Sequence, residues 1–428
     1  MKGGRTGPKK LPEEEFYMNP IYLDNAGTSF PKAPGTAEAV FSFMTREGVN
    51  IGRGAYRKAY AAADMVYETR CLIAELFHGE DPRQVVFTKN VTESLNLVLK
   101  GYLKPGDHVL TSSVEHNAVM RPLKQIGVAF TRVPCTETGE LKTEELERSL
   151  RPETKAVVMT HASNVCGTIL PFEAVGRFCS THGLKFFADC AQTAGTVPVD
   201  MEAMNIDALC FTGHKGLLGP QGIGGVVLRK GLEQEIAPLV SGGTGSISHR
   251  EEMPEFLPDR FEAGTLNLPG IAGLRAALLW LKERGISANR AHEDRLTAQF
   301  LRGLLPMEEE GLIKILGRKN IGTAEEARTA ADESSGLTDI GRTSVVSVQT
   351  QTLDPAAAAF LLDDRFGIMT RVGLHCAPAA HKTLGTFPAG AIRFSFGWSN
   401  TAEEVDAALR ALEKICRGAC IPENPVIK

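Results

Sequence analysis

No run of apolar residues approaches the ~18 needed to cross a bilayer. The basic start MKGGRTGPKKLPEEEF lacks the apolar core of a signal peptide, so a cytoplasmic protein is expected. Cysteine is present without order: nine residues, odd in number, with no Cys-x-x-Cys pair. That argues against a disulfide scaffold or a zinc ribbon, and no metal site is expected. Cys416 and Cys420, four apart on an expected helix, read as packed or solvated thiols. Neither charge dominates: 47 Lys+Arg stand against 51 Asp+Glu, a net charge of −4. Nothing global therefore points to nucleic acid or a membrane as partner, because such partners select a basic face. There is no internal repeat, and the glycines after Lys215 have neither the spacing of a nucleotide loop nor the strand-to-helix placement of a dinucleotide site.

What is present suits a large folded core: 428 residues, 43% hydrophobic and 23% charged. Seven β-rich runs recur between residues 84 and 229: QVVFT, HVLTSSV, VAFTRV, AVVMTHAS, KFFADCA, ALCFTG and GGVVLR. Continuous apolar strands separated by helical spacing predict an α/β fold with a seven-stranded, mainly parallel sheet flanked by helices. Met65, Val66, Leu72, Ile73, Leu76 and Phe77 place a long amphipathic helix before the first of these strands. We expect an N-terminal arm over 1–21, a large domain over 22–281 and a smaller α+β domain over 282–428. In the last, helices at 291–304 and 355–366 alternate with strands at 344–349 and 391–396. Thr401 and Glu404 form a capping-box pattern opening a final helix. Residues 319–342 carry few large apolar side chains and read as an exposed, mobile insertion.

Lys215 follows the ALCFTGH run at a strand end, where an amine among polar groups suits a Schiff base to an aldehyde cofactor. Taken alone it reads as a surface lysine, as nearly all lysines are exposed. Asp189 ends another apolar strand 26 residues earlier. A carboxylate there can pair with a protonated pyridine nitrogen, although an Asp in that setting also serves as a helix N-cap. Gln192 can bond to a ring oxygen.

These residues, with YLDNAGTSFPK, FTKNVTESLNL, SVEHNAVMRP, THASNVCGTILP, RFEAGTLNLPGIAGL, RVGLHCAP and IRFSFGWSNTAEEVD, resemble the class V aminotransferase family, within it the cysteine desulfurase and selenocysteine lyase group. The resemblance spans nearly the whole chain and implies pyridoxal 5'-phosphate as cofactor. It implies that Lys215 forms the Schiff base, that Asp189 holds the pyridinium, and that Gln192 and Asn164 contact the ring oxygen. Thr92, Thr212 and His214 would cup the phosphate, the first at a helix start whose free amides favour anions. His116 would stack on the ring and move a proton. Thr265 would reach the phosphate of a neighbouring subunit, which implies a homodimer. Arg393 would bind the substrate carboxylate, with Arg371 as a second candidate. Cys376 would attack the sulfur of bound L-cysteine and become a persulfide as L-alanine leaves, before passing the sulfur to an acceptor protein.

Tyr56 stands where many relatives carry histidine, and Leu374 where some have a second histidine before His375 and Cys376. With the 319–342 insertion, they keep L-selenocysteine or another C–S substrate open, as they do a catalytically silent binding dimer.

Overall fold

The computed structural model of the chain describes residues 20–52, 54–319 and 341–418. A two-residue strand, β1 (Ile21–Tyr22), comes first. All seven expected runs then form strands: β2 (Val85–Thr88), β3 (His108–Ser112), β4 (Ala129–Val133), β5 (Thr154–Thr160), β6 (Lys185–Asp189), β7 (Ala208–Thr212) and β8 (Gly224–Leu228). They make one sheet in the order β2-β8-β7-β6-β5-β3-β4, parallel except where β8 runs against both of its neighbours.

Burial on both faces explains the continuous apolar runs. Val157, Phe186 and Leu209 enter the core on one side of the sheet, while their chain neighbours Val158, Phe187 and Cys210 enter the core on the other. Successive strand side chains point to opposite faces, so a sheet covered twice needs apolar residues at every position. The helix Arg57–Phe77 lies on the first face and buries Val66, Ile73 and Phe77.

The C-terminal half carries β9 (Ile313–Leu316), β10 (Val345–Thr350), β11 (Ile368–Met369), β12 (Arg371–Gly373) and β13 (Ala391–Ser395). Four of them form an antiparallel sheet in the order β12-β13-β10-β9, whereas β11 pairs in parallel with β1. Leu23, just after β1, is fully buried in the core of this half. The last helix, Ala402–Cys416, opens with the expected capping box between Thr401 and Glu404. It ends at a buried Cys416, and Cys420 lies outside the described residues. The strands β9, β11 and β12 were not expected, being two to four residues long.

The expected insertion needs correction at its end. Residues 320–340 lie outside the described residues, but Arg342 is fully buried. Its guanidinium donates to the carbonyls of Arg318, Cys166 (3.0 Å) and Val345 (2.6 Å). A charged residue tolerates such burial when backbone oxygens take its N–H groups.

Strand order decides where a site can form. Sequence order rises from β5 through β6 to β7 on one side and from β3 to β4 on the other, so it reverses between β5 and β3. In open parallel sheets, ligands bind beyond the carboxyl ends of the strands at such a reversal. The segments following β3 and β5 carry His116 and Asn164.

Candidate active site

Asp189 and Thr212 occupy the carboxyl ends of the parallel strands β6 and β7, and both are buried. Asp189 Oδ1 accepts from the Ala191 amide at 3.0 Å, and burial raises its pKa above the usual 3.8. Among the described residues no cation pairs with it. Lys215 lies three residues beyond β7 and lines a cavity with Asn25, Ala26, Ser29 and Gln192. Burial, reinforced by Arg393, lowers its pKa to about 8, against an opposing pull from Asp189. Its amine has no hydrogen-bond or ion-pair partner among the described residues.

Polar groups beside this lysine are left unmet. Thr212 Oγ1 and His214 Nδ1 are buried without hydrogen-bond partners, which is costly unless a ligand supplies them. Pairing aligns Thr212 with Gly224 and Gly224 with Thr88, so the helix Val91–Tyr102 starts close to this end of the sheet. Asn90 caps that helix through the Glu93 amide, and Thr92 is exposed in its first turn. An unpaired carboxylate, a free amine, unmet hydroxyl and imidazole groups and a helix N-terminus are the set that a pyridoxal phosphate would satisfy.

His116 precedes the helix Asn117–Ile126, and its Nδ1 accepts from the Ala118 amide at 3.0 Å. Burial, then Lys215, Arg121 and Arg393, lower its pKa to about 4. The neutral ring therefore carries its proton on Nε2 and presents a donor to the site. A role as proton acceptor requires the Ala118 bond to break.

The Cys376 segment is held rather than loose. The Ala377 amide donates to Leu374 O at 2.8 Å, closing a tight turn whose central residues, His375 and Cys376, have φ of 48° and 57°. Left-handed backbone costs a side-chain-bearing residue ~1–2 kcal/mol. Two bonds anchor it: Asn164 Nδ2 donates to His375 O at 2.7 Å, and the Asn117 amide donates to Cys376 O at 2.8 Å. The thiol of Cys376 is exposed, while burial drives the neighbouring His375 ring to its neutral form.

Arg393, on β13, is buried and donates from Nη2 to Asp24 Oδ1 at 2.7 Å and from Nη1 to Asn164 O at 3.1 Å. Arg371 reaches the other oxygen of Asp24 at 3.0 Å and is half-exposed. Gln192 Nε2 donates to Ala26 O at 3.3 Å. Two residues lie apart from this cluster: Thr265, expected to serve a neighbouring subunit, is exposed and lines another cavity with Lys89, Glu93 and Asn267, and Tyr56 is an exposed residue ahead of the helix Arg57–Phe77. Residues that sequence reasoning left unassigned join it: Asp24, and Lys32, whose ammonium donates to Thr28 Oγ1, Ser29 Oγ and His214 O at 2.9–3.1 Å. Both lie in YLDNAGTSFPK, a mixed run with no helical or strand period.

Comparison with known proteins places the chain in a family. The family pattern described as Aminotransferase class-V matches residues 21–408. A probable cysteine desulfurase of Pyrococcus abyssi is 32% identical over 93% of this chain and 94% of its own length. Another, from Methanothermobacter thermautotrophicus, is 30% identical over 92% and 94%. The solved apo structure of a cysteine desulfurase from Thermococcus onnurineus NA1 superposes with a TM-score of 0.82 at 30% identity, covering 93% of this chain and 95% of that one. With the match running from β1 into the last helix, the chain belongs to the class-V aminotransferase family.

Proposed function

We propose that this protein is a pyridoxal phosphate dependent cysteine desulfurase, converting L-cysteine to L-alanine and taking the sulfur onto Cys376. The observation that carries the reading is the turn at residues 374–377. It presents an exposed thiol on left-handed backbone, tied by its two central carbonyls to Asn164 and to the start of the His116 helix.

When bound, the cofactor supplies an electron sink for charge developing at the substrate Cα. Asp189 would hold its ring nitrogen, Gln192 and Asn164 its ring oxygen, Thr92, Thr212 and His214 its phosphate, and Lys215 its aldehyde carbon. Arg393 keeps donors for a substrate carboxylate: of its five N–H groups, Asp24 and Asn164 each take one, and buried Nε has no partner among the described residues. With a pKa of about 8, Lys215 exchanges a proton with the substrate Cα near neutral pH. His116 presents Nε2–H to the site. The Cys376 thiolate attacks the substrate sulfur, an S–S bond forms and the C–S bond breaks. The electron pair left on Cβ takes up a proton, giving alanine. Exposure of the turn leaves the persulfide open to a second thiol, on an acceptor protein or a small molecule.

A homodimer belongs to the same proposal. Phe41, Met44, Tyr60 and Tyr67, in the helical segments between residues 36 and 77, are more than half exposed, and Thr265 lies away from the Lys215 cavity of its own chain. Division into domains near residue 282 is proposed likewise, where the helices Leu268–Arg284 and Ile286–Glu309 meet at Gly285. No helix of the described residues is long and apolar enough to cross a membrane; cytoplasmic placement is part of the proposal.

The test is incubation of the loaded protein with L-cysteine, reading alanine by chromatography and the Cys376 peptide by mass. Alanine with 32 Da added to that peptide is expected. Cys376→Ala should lose cysteine turnover and keep measurable alanine release from L-selenocysteine, whose selenium is the better leaving group. Unchanged cysteine turnover in Cys376→Ala would refute the assignment.

A further inference from the structure

The peptide that joins His214 to Lys215 is held by a stretch of chain far from it in sequence, residues 28–33. Four donors converge on the His214 carbonyl: the Ser29 amide at 2.9 Å, Thr28 Oγ1 at 3.1 Å, Ser29 Oγ at 3.2 Å and Lys32 Nζ at 2.9 Å. A carbonyl oxygen has two lone pairs, so four donors cannot all bind at full strength. The ammonium takes the largest share, because a charged donor makes a bond roughly twice as strong as a neutral one. It also donates to both hydroxyl oxygens at 3.1 Å, which leaves their O–H groups to point at the same carbonyl. Lys32 is half-buried, burial lowers its pKa to about 8, and among the described residues no carboxylate pairs with it. Its charge is therefore directed at the carbonyl and the two hydroxyls.

The far end of the same turn is pinned by the same stretch. Lys215 O accepts from the Leu218 amide at 2.8 Å, and Leu218 O accepts from the Ala33 amide at 3.2 Å. Elsewhere the turn touches bare backbone: a Cβ on Gly195 would lie 2.4 Å from Gly216 O, and one on Gly216 2.5 Å from Ala194 O. Lys215 thus stands on a turn packed against residues 194–195 and held by residues 28–33, with Lys32 as the charged contact.

We propose that Lys32 is a positioning residue for Lys215. Its bond to the His214 carbonyl fixes the backbone from which the Lys215 side chain reaches the cofactor aldehyde. This role rests on the reading that Lys215 bonds that carbon, its amine attacking as the aldehyde oxygen leaves as water. The amine and a bound aldehyde react as parts of one molecule, and their effective concentration falls when the amine is no longer held in place.

The experiment compares pyridoxal phosphate with deoxypyridoxine phosphate, which keeps the ring and the phosphate but has a methyl group where the aldehyde stands. Full-length protein freed of cofactor is titrated with each compound by calorimetry, for wild type, Lys32→Met, Lys32→Gln and Lys215→Ala, with thermal melting to read folding. Lys32→Met should weaken pyridoxal phosphate binding by about tenfold or more, the size of one charge-assisted hydrogen bond, and leave deoxypyridoxine phosphate binding where it is. Lys32→Gln, uncharged and one atom shorter, should shift the ratio of the two dissociation constants the same way by a smaller factor. Lys215→Ala should bring the two compounds to near-equal affinity.

An unchanged ratio in folded Lys32→Met would overturn the proposal by leaving Lys32 without effect on Lys215. An equal loss for both compounds would overturn it by making Lys32 a support of the whole site. If Lys32→Met does not fold, Lys32→Gln decides, and an unchanged ratio there overturns it. A wild-type ratio in Lys215→Ala would instead remove the reading of Lys215 on which the role of Lys32 stands.

Discussion

Asp189→Asn should change sign with cofactor loading. The substitution keeps shape, and the amide oxygen can still accept from Ala191, now 3.0 Å from Oδ1. What is lost is a charge that burial disfavours, since the pKa of Asp189 is raised above 3.8 by desolvation against the weaker opposing effects of Ala191 and Lys215. A carboxyl with a raised folded pKa binds more proton folded than unfolded. Its ionisation therefore removes stability as pH climbs from 3.8 through the folded value, and above that value the whole cost is present. The Asn variant of the apoprotein escapes this cost. Taking ~1–3 kcal/mol for a buried group left uncompensated, and ~2.1 cal/mol/K of unfolding entropy per residue over 428 residues, its melting temperature should rise by about 1–3 °C at pH 7.5. The difference should vanish below pH ~4. In the loaded protein the effect reverses. Removing one partner of a buried ion pair costs about 3–5 kcal/mol, so cofactor affinity should fall roughly 100- to 4,000-fold. Scanning fluorimetry of the apoprotein across pH and cofactor titration by absorbance measure both. An apo variant less stable than wild type at pH 7.5 would refute the burial argument. Cofactor affinity within threefold of wild type would refute the placement of Asp189 at the ring nitrogen.

Loading of the apoprotein with pyridoxal phosphate should accelerate as pH rises through about 8, where Lys215 loses its proton; an inflection near the ordinary lysine value of 10.5 would contradict its burial, and stopped-flow absorbance decides. Arg393→Ala should raise the cysteine KM at least about tenfold, since a charge-assisted hydrogen bond contributes ~1.5–3 kcal/mol; steady-state kinetics with an unchanged KM would place the carboxylate elsewhere. Mixed dimers of Lys215→Ala and Thr265→Ala chains should recover up to half the wild-type activity, because one intact site forms only if Thr265 serves the neighbouring subunit. Absence of recovery, with hybrid formation shown by native mass, would return Thr265 to its own chain.

Much of the fold is written locally. The inner strands appear where largely apolar runs stand, because both faces of the sheet are covered there, whereas the edge strand β4, AFTRV, is mostly exposed or half-buried and carries Thr131 and Arg132. Each run ends where polar residues begin, which is why Asp189 and Thr212 could be placed at strand ends from sequence. The capping box at Thr401 and Glu404 was legible for the same reason, since its two partners are three residues apart. Short strands such as β11 and β12 were not, being too brief to show a period.

The sequence by itself therefore determined the strands and helices, and through the ordered motifs the family and its cofactor. Tertiary structure decided what neighbours what. Asp24 meets Arg393 across 369 positions and Asn164 meets His375 across 211, contacts that no local period encodes. Two bonds from residues distant in sequence hold the turn that carries Cys376. Arg342 closed a stretch that read as exposed, and the carbonyls gathered around it from residues 166, 318 and 345 allow it to be buried. Apolar period and capping act over a few residues, whereas charge pairing and desolvation depend on which strand ends the order of the sheet brings together.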